Sequence, residues 1–157
     1  MRYQIFATMF IAFAFAYPGS TQAADWSATD KTFVMKAAMS GTEEVNEGKA
    51  QSNSSNADAR AFAERMVQDH TKANDELAQI AKTVGLSTAL QQGVTDAKTP
   101  TPTSPTNYLK TEVTDHQEAI ALFENEAKNG TNPSLRQFAQ STLPTLREHL
   151  AMAEKYS

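Results

Sequence analysis

The stretch Ala57–Val84 constrains the fold more than any other part of the chain. Its apolar residues are Ala59, Phe62, Ala63, Met66, Val67, Ala73, Leu77, Ile80, Ala81 and Val84. They recur at three- and four-residue steps, which gathers side chains on one face of an α-helix. Arg60, Glu64, Gln68, Lys72, Asp75, Gln79 and Lys82 occupy the opposite face. One long amphipathic helix follows, and its apolar face needs partners of similar length. His70 lies in the middle of that face, where a leucine would pack better.

The segments on either side supply the partners. A first helix is expected over Ala28–Gln51, capped by Ser27 or Thr29 with Asp30 in its first turn. Phe33, Ala37, Gly41, Glu44 and Gly48 share its inner face, and the two glycines permit close approach of a neighbour. Gln51–Asn56 reads as a polar turn, and Gly85 suits a left-handed helix end. Leu86–Gln92 has room for a short helical turn. Lys98–Thr106 (KTPTPTSPT) reads as an extended connector, its prolines too closely spaced for helix or central strand. A third long helix follows from Asn107 to Lys128, with Leu109, Val113, His116, Ile120, Phe123 and Ala127 inward. A fourth starts at Pro133 behind an Asn132 cap and buries Leu135, Phe138, Thr142, Leu146, His149, Ala153 and Tyr156. Pro144 inside it removes one backbone hydrogen bond and predicts a kink. No two-residue alternation appears, so the expected fold is all-α: a four-helix bundle with a long proline-rich connector between helices two and three.

The first residues have the pattern of a secretory leader. Arg2 precedes the uncharged apolar run Ile5–Ala16, Pro18 and Gly19 break it, and Thr21-Gln22-Ala23 suits cleavage. The expected organisation is a removed signal peptide over residues 1–23 and a single domain over 24–157. Half of the eight phenylalanines fall in the leader, so the mature core is poor in aromatics. The net charge of −4 becomes one unit more negative without Arg2. With no basic stripe, nucleic acid is not an expected partner. The chain has no cysteine, which removes disulfides, thiolate ligands and the usual lipoprotein anchor. A periplasmic or secreted protein without a transmembrane segment is expected.

All three histidines fall on inward stripes: His70, His116 and His149, on helices two, three and four. Helix one offers Glu44 in the corresponding place. At about 1.5 Å per residue, all four fall in the middle third of a bundle roughly 35 Å long. Imidazole with carboxylate suits zinc, copper, nickel or iron, so these four residues form a candidate metal site. Each histidine follows an acid: Asp69, Asp115 and Glu148. Neighbours on a helix point about 100° apart, so two readings stand for each acid: an outer partner that reaches the histidine of an adjacent helix and fixes its tautomer, or a solvated acid beside a core histidine. Met66 and Met152 lie one turn from His70 and His149, and a His/Met set would suit copper. The other reading takes the histidines as core polar residues that fix helix packing, in a structural or envelope-stress protein. An enzyme ranks below both, because no nucleophile, phosphate loop or oxyanion site is apparent.

The order of segments resembles the exported bacterial family called domain of unknown function 4142. The matching pieces are Phe33 through Glu44, Val45, Gly48 and Ala50; Phe62-Ala63, Met66-Val67 and Asp69-His70; Asn74, Leu77 and Ala81; Tyr108 and Asp115-His116; and Leu143-Pro144, Leu146 and His149-Leu150. They span roughly Asp30 to Ala153, and only the connector departs, being shorter and richer in proline. The resemblance implies a ferritin-like four-helix fold. That fold invites a di-iron centre, which needs Glu-x-x-His on two helices and a glutamate on each of the others. Val67, Val113 and Leu146 stand three residues before the histidines, and Glu112, four before His116, is the nearest substitute. The sequence therefore argues against a ferroxidase or oxygen-activating site.

Overall fold

The computed structural model describes residues 26–101 and 103–157. The leader expected over residues 1–23 lies outside the described residues. The described chain is all-helical, without a strand: α1 Ala28–Gln51, α2 Ala57–Val84, α3 Ser87–Asp96, α4 Pro105–Asn129 and α5 Pro133–Tyr156. Ser27 and Asp30 cap α1 reciprocally, each side chain bonding to the other's backbone N–H. Asn56 caps α2, and Gly85 ends it at φ 80°, a conformation open to glycine. Asn132 caps α5, which continues through Pro144 to Tyr156.

Two boundaries differ from the sequence reading. The short turn is a ten-residue helix, α3, that continues past Gln92 to Asp96. Gly93 keeps it against α1, since a Cβ there would lie 2.0 Å from the Met35 carbonyl oxygen. The third long helix begins at Pro105 rather than Asn107. Ser104 caps it, and Pro105 fits the first turn, where no backbone donor is needed.

The connection between α3 and α4 sets the direction of the second pair of helices. Lys98 N–H donates to Glu43 Oε1 at 2.9 Å, and Gln51 Nε2 donates to the Thr103 carbonyl at 3.2 Å. The chain thus follows α1 from its middle to its end and starts α4 there. α4 then runs parallel to α2 and antiparallel to α1. At the foot, Asp30 of α1 accepts from Thr131 N–H at 2.9 Å and Asn132 N–H at 3.2 Å, in the turn between α4 and α5.

The core has a vertical order. A lower apolar cluster contains Phe33, Val34, Leu77, Phe123, Leu135 and Phe138. An upper one contains Ala59, Phe62, Met66, Tyr108, Leu109 and Ala153. Between them lies a buried polar belt: Glu44 on α1, His70 on α2, Glu112 and His116 on α4, and His149 on α5. Each long helix therefore leaves one apolar cluster, contributes its polar residue, and continues upward or downward. Gly48 lets α1 approach α2 beside this belt, because a Cβ would meet the Ala63 carbonyl at 2.9 Å.

Candidate metal centre

The three histidines converge. Ring centroids are 5.3 Å apart for His70–His149 and His116–His149, and 5.7 Å for His70–His116. One ring nitrogen of each lies within 4.8 Å of one from both others. His116 and His149 are fully enclosed, and His70 is 8 % exposed. Burial holds the His70 imidazole near pKa 3 and that of His149 near 4, with the neighbouring imidazoles adding to the depression. Both rings are thus neutral at pH 7.

The hydrogen bonds assign the tautomers. His149 Nε2 lies 3.0 Å from Asp69 Oδ2. Burial pushes the Asp69 carboxyl up, but Arg65 and His149 outweigh it and hold the group below its ordinary value. Asp69 is therefore an ionised acceptor, His149 Nε2 carries the proton, and Nδ1 carries a lone pair. His116 Nδ1 lies 2.9 Å from the Glu112 carbonyl oxygen, which can only accept, so Nδ1 is the donor. In neutral His116 the lone pair is then on Nε2. That atom faces His149 Nδ1 at 3.3 Å. Two lone pairs cannot satisfy each other at this distance. Either a metal cation or an additional proton must lie between them. His70 Nε2 is also buried without a hydrogen-bond partner. For metal–nitrogen bonds of about 2.0–2.1 Å, the edge of a coordination tetrahedron is about 3.3 Å.

Glu44 lies on the other side of the His116 ring. Its Oε1 is 3.9 Å from His116 Nδ1, and Glu112 Oε2 is 3.3 Å from the same atom. Glu44, Glu112 and His116 form a second close group. Glu112 shares side-chain hydrogen bonds with Glu44 and with the Tyr108 hydroxyl inside this enclosed group, while Glu44 Oε2 is left without a partner. Burial, followed by repulsion from Glu112, raises the Glu44 pKa well above its ordinary value. Burial lifts Glu112 to about 8. The four sequence candidates are thus neighbours in two groups, three imidazoles and a carboxyl pair, with His116 between.

Of the flanking acids, Asp69 on α2 reaches across to His149 on α5. Glu148 is exposed and lies 3.6 Å from Arg65, which also pairs with Asp69. Asp115 lines an open groove between α1 and α4. Burial, then Glu118, raises its pKa. Met66 and Met152 belong to the upper apolar cluster. Sequence reading treated Glu112 only as a failed di-iron position, although it stands one turn before His116 on the inner face. Asp30 and Glu126, both fully buried, form a further carboxyl pair at the foot that sequence reading missed.

A family model described as Domain of unknown function (DUF4142) matches residues 16–156. The chain belongs to this family. No curated protein and no solved structure matches it. In this DUF4142 chain, Glu44 and Glu112 are the only carboxylates grouped with a histidine as a candidate cation site among the described residues. Val67 and Leu146 stand where carboxylates would bridge two irons. The donor set does not fit a carboxylate-bridged di-iron centre.

Proposed function

We propose that this protein is an exported metal-binding protein, in which His70, His116 and His149 hold one transition-metal ion inside a ferritin-like four-helix bundle. The observation that carries the reading is the pair His116 Nε2 and His149 Nδ1. They stand 3.3 Å apart, and each opposite ring nitrogen is already committed as a donor. The Glu112 carbonyl and the Asp69 carboxylate then serve as outer partners that fix ring orientation, as is usual for metal-bound histidine. Three neutral imidazoles suit zinc, copper(II) or nickel, and the placement of both methionines in the upper apolar cluster gives copper(I) less support. The leader pattern before Ala24 supports export to the periplasm or beyond. The parallel run of α2 and α4 supports the long-connector form of the bundle.

One observation favours a second reading. Two carboxyl groups lie near His116 Nδ1, at 3.3 and 3.9 Å. With these groups beside Nδ1, Nε2 can carry a hydrogen that it donates to His149 Nδ1. A proton would then stand in place of the metal, and the belt would only fix helix register. Metal analysis of untagged protein separates the two. The metal reading expects roughly one equivalent of zinc, nickel or copper per chain, and a rise in Tm on adding that metal to stripped protein. Stripped protein with an unchanged Tm in all three metals, together with His149→Leu protein of equal or greater stability, would establish the second reading instead.

A further inference from the structure

We infer that the acidic groove between α1 and α4 is the path by which a divalent cation reaches the histidines, with Glu44 as the last carboxylate on that path. This rests on the reading of the three histidines as a metal centre. A centre enclosed in a helical core needs a way in, and this one is covered above, below and on the α2–α5 side. The apolar clusters lie above and below it. On the α2–α5 side, Asp69 is bound to both His149 and Arg65, and Arg65 also faces Glu148. The carboxylates there are already paired with a cation.

The α1–α4 side is different. An open groove of about 580 Å³ carries five carboxylates, Glu43, Glu44, Glu47, Asp115 and Glu118, against two lysines. Glu44 is 6 % exposed, and its Oε2 is buried without a hydrogen-bond partner. It lines this groove and also a small internal cavity of about 20 Å³ that it shares with His70. Such a cavity holds about one water. The sequence of sites from solvent is therefore the outer carboxylates, Glu44, the cavity, and His70. Each offers an oxygen or nitrogen donor to an ion that is shedding water. A cleft lined by one sign of charge also concentrates counter-ions and raises association rates by about 10- to 1000-fold.

The test is stopped-flow loading of the folded mature chain with cobalt(II), followed by ligand-field absorbance. The triple variant Glu43→Gln/Glu47→Gln/Glu118→Gln is expected to load about tenfold more slowly at low ionic strength and to lose most of its salt dependence. The control Glu64→Gln/Asp75→Asn/Glu76→Gln removes as many charges from the exposed face of α2 and is expected to load at the wild-type rate. Glu44→Gln is expected to slow loading at high salt as well, since it removes a donor rather than a distant charge. Its amide matches the size of the carboxyl, and a Tm close to wild type would show that the fold is retained. Unchanged rate and salt dependence in the triple variant would overturn the route and leave the metal centre standing. So would equal slowing in the control. A wild-type chain that takes up no cobalt would overturn the centre, and the route with it.

Discussion

Asp69 gives the most exacting test of the hydrogen-bond arrangement around the histidines. It is next to His70 in sequence, but its carboxylate serves His149 on another helix, at 3.0 Å from Nε2. If His149 binds metal through Nδ1, Asp69 holds the ring in that tautomer and adds to its basicity. Loss of such an outer partner typically weakens metal binding by about 10- to 100-fold, equivalent to about 1.4–2.7 kcal/mol. The Asp69 side chain is 21 % exposed, so water can replace part of the interaction. Asp69→Asn retains an oxygen acceptor and is expected near tenfold. Asp69→Ala retains nothing and is expected near the upper limit. The salt bridge to Arg65 is lost in both variants, but that pair is solvent-exposed and contributes at most about 1 kcal/mol. Competition against a chromophoric zinc chelator reads the affinity directly. Thermal unfolding at a fixed zinc excess reads it independently, since a loss of this size lowers Tm by roughly 4–10 °C in a domain this long. The metal-free Tm should change far less. Equal zinc affinity in wild type and both variants would refute the tautomer argument. So would a loss of stability that is the same with and without metal.

Two further predictions concern the scaffold. At the foot, burial and then Asp30 raise the Glu126 pKa from 4.5 to about 8, while hydrogen bonds from Thr131, Ser27 and Asn132 outweigh burial and hold Asp30 near 2. The folded state therefore keeps a proton on Glu126 that the unfolded chain has released. Its stabilising contribution is full below about pH 4.5 and is lost as pH rises to about 8, with a slope of up to about 1.4 kcal/mol per pH unit. Glu126→Gln should flatten this part of the Tm–pH profile between pH 5 and 9, and an unchanged profile would contradict the pairing. In α3, Gly93→Ala would set a methyl group against the Met35 carbonyl. The helix must move off α1, at a cost of about 1–3 kcal/mol, which urea unfolding would detect. A variant as stable as wild type would show that the close approach is not required.

Most of the helical scaffold was legible in the sequence because the apolar phase is long and regular. Ala57–Val84 and Ala28–Gln51 have the expected bounds, and Ser27, Asn56 and Asn132 cap as their types suggest. The inward placement of His70, His116 and His149 follows from the same phase. The failures are local or depend on distance between helices. Gly93 falls just beyond the turn expected over Leu86–Gln92, and its missing side chain is what lets α3 continue against α1. Pro105 looks like part of the connector, but the first turn of a helix accepts proline. The partner of an acid beside a histidine cannot be read from one helix alone. Asp69 reaches a ring, Asp115 faces a groove, and Glu148 pairs with Arg65. Glu126 and Asp30 are separated by most of the chain, so their shared burial depends on how α1 meets the α4–α5 turn. Glu44 appeared on the correct face and at the correct height. Only the packed structure places it across the His116 ring from His149.

X-ray absorption spectroscopy of zinc-loaded, untagged mature protein tests the central claim most directly, because it counts imidazoles around the ion. Three imidazole nitrogens at about 2.0 Å, with the outer scattering typical of histidine rings, are predicted, and one imidazole should be lost in each of His70→Ala, His116→Ala and His149→Ala. A zinc shell of oxygen donors without imidazole scattering, or a spectrum unchanged in all three variants, would contradict it.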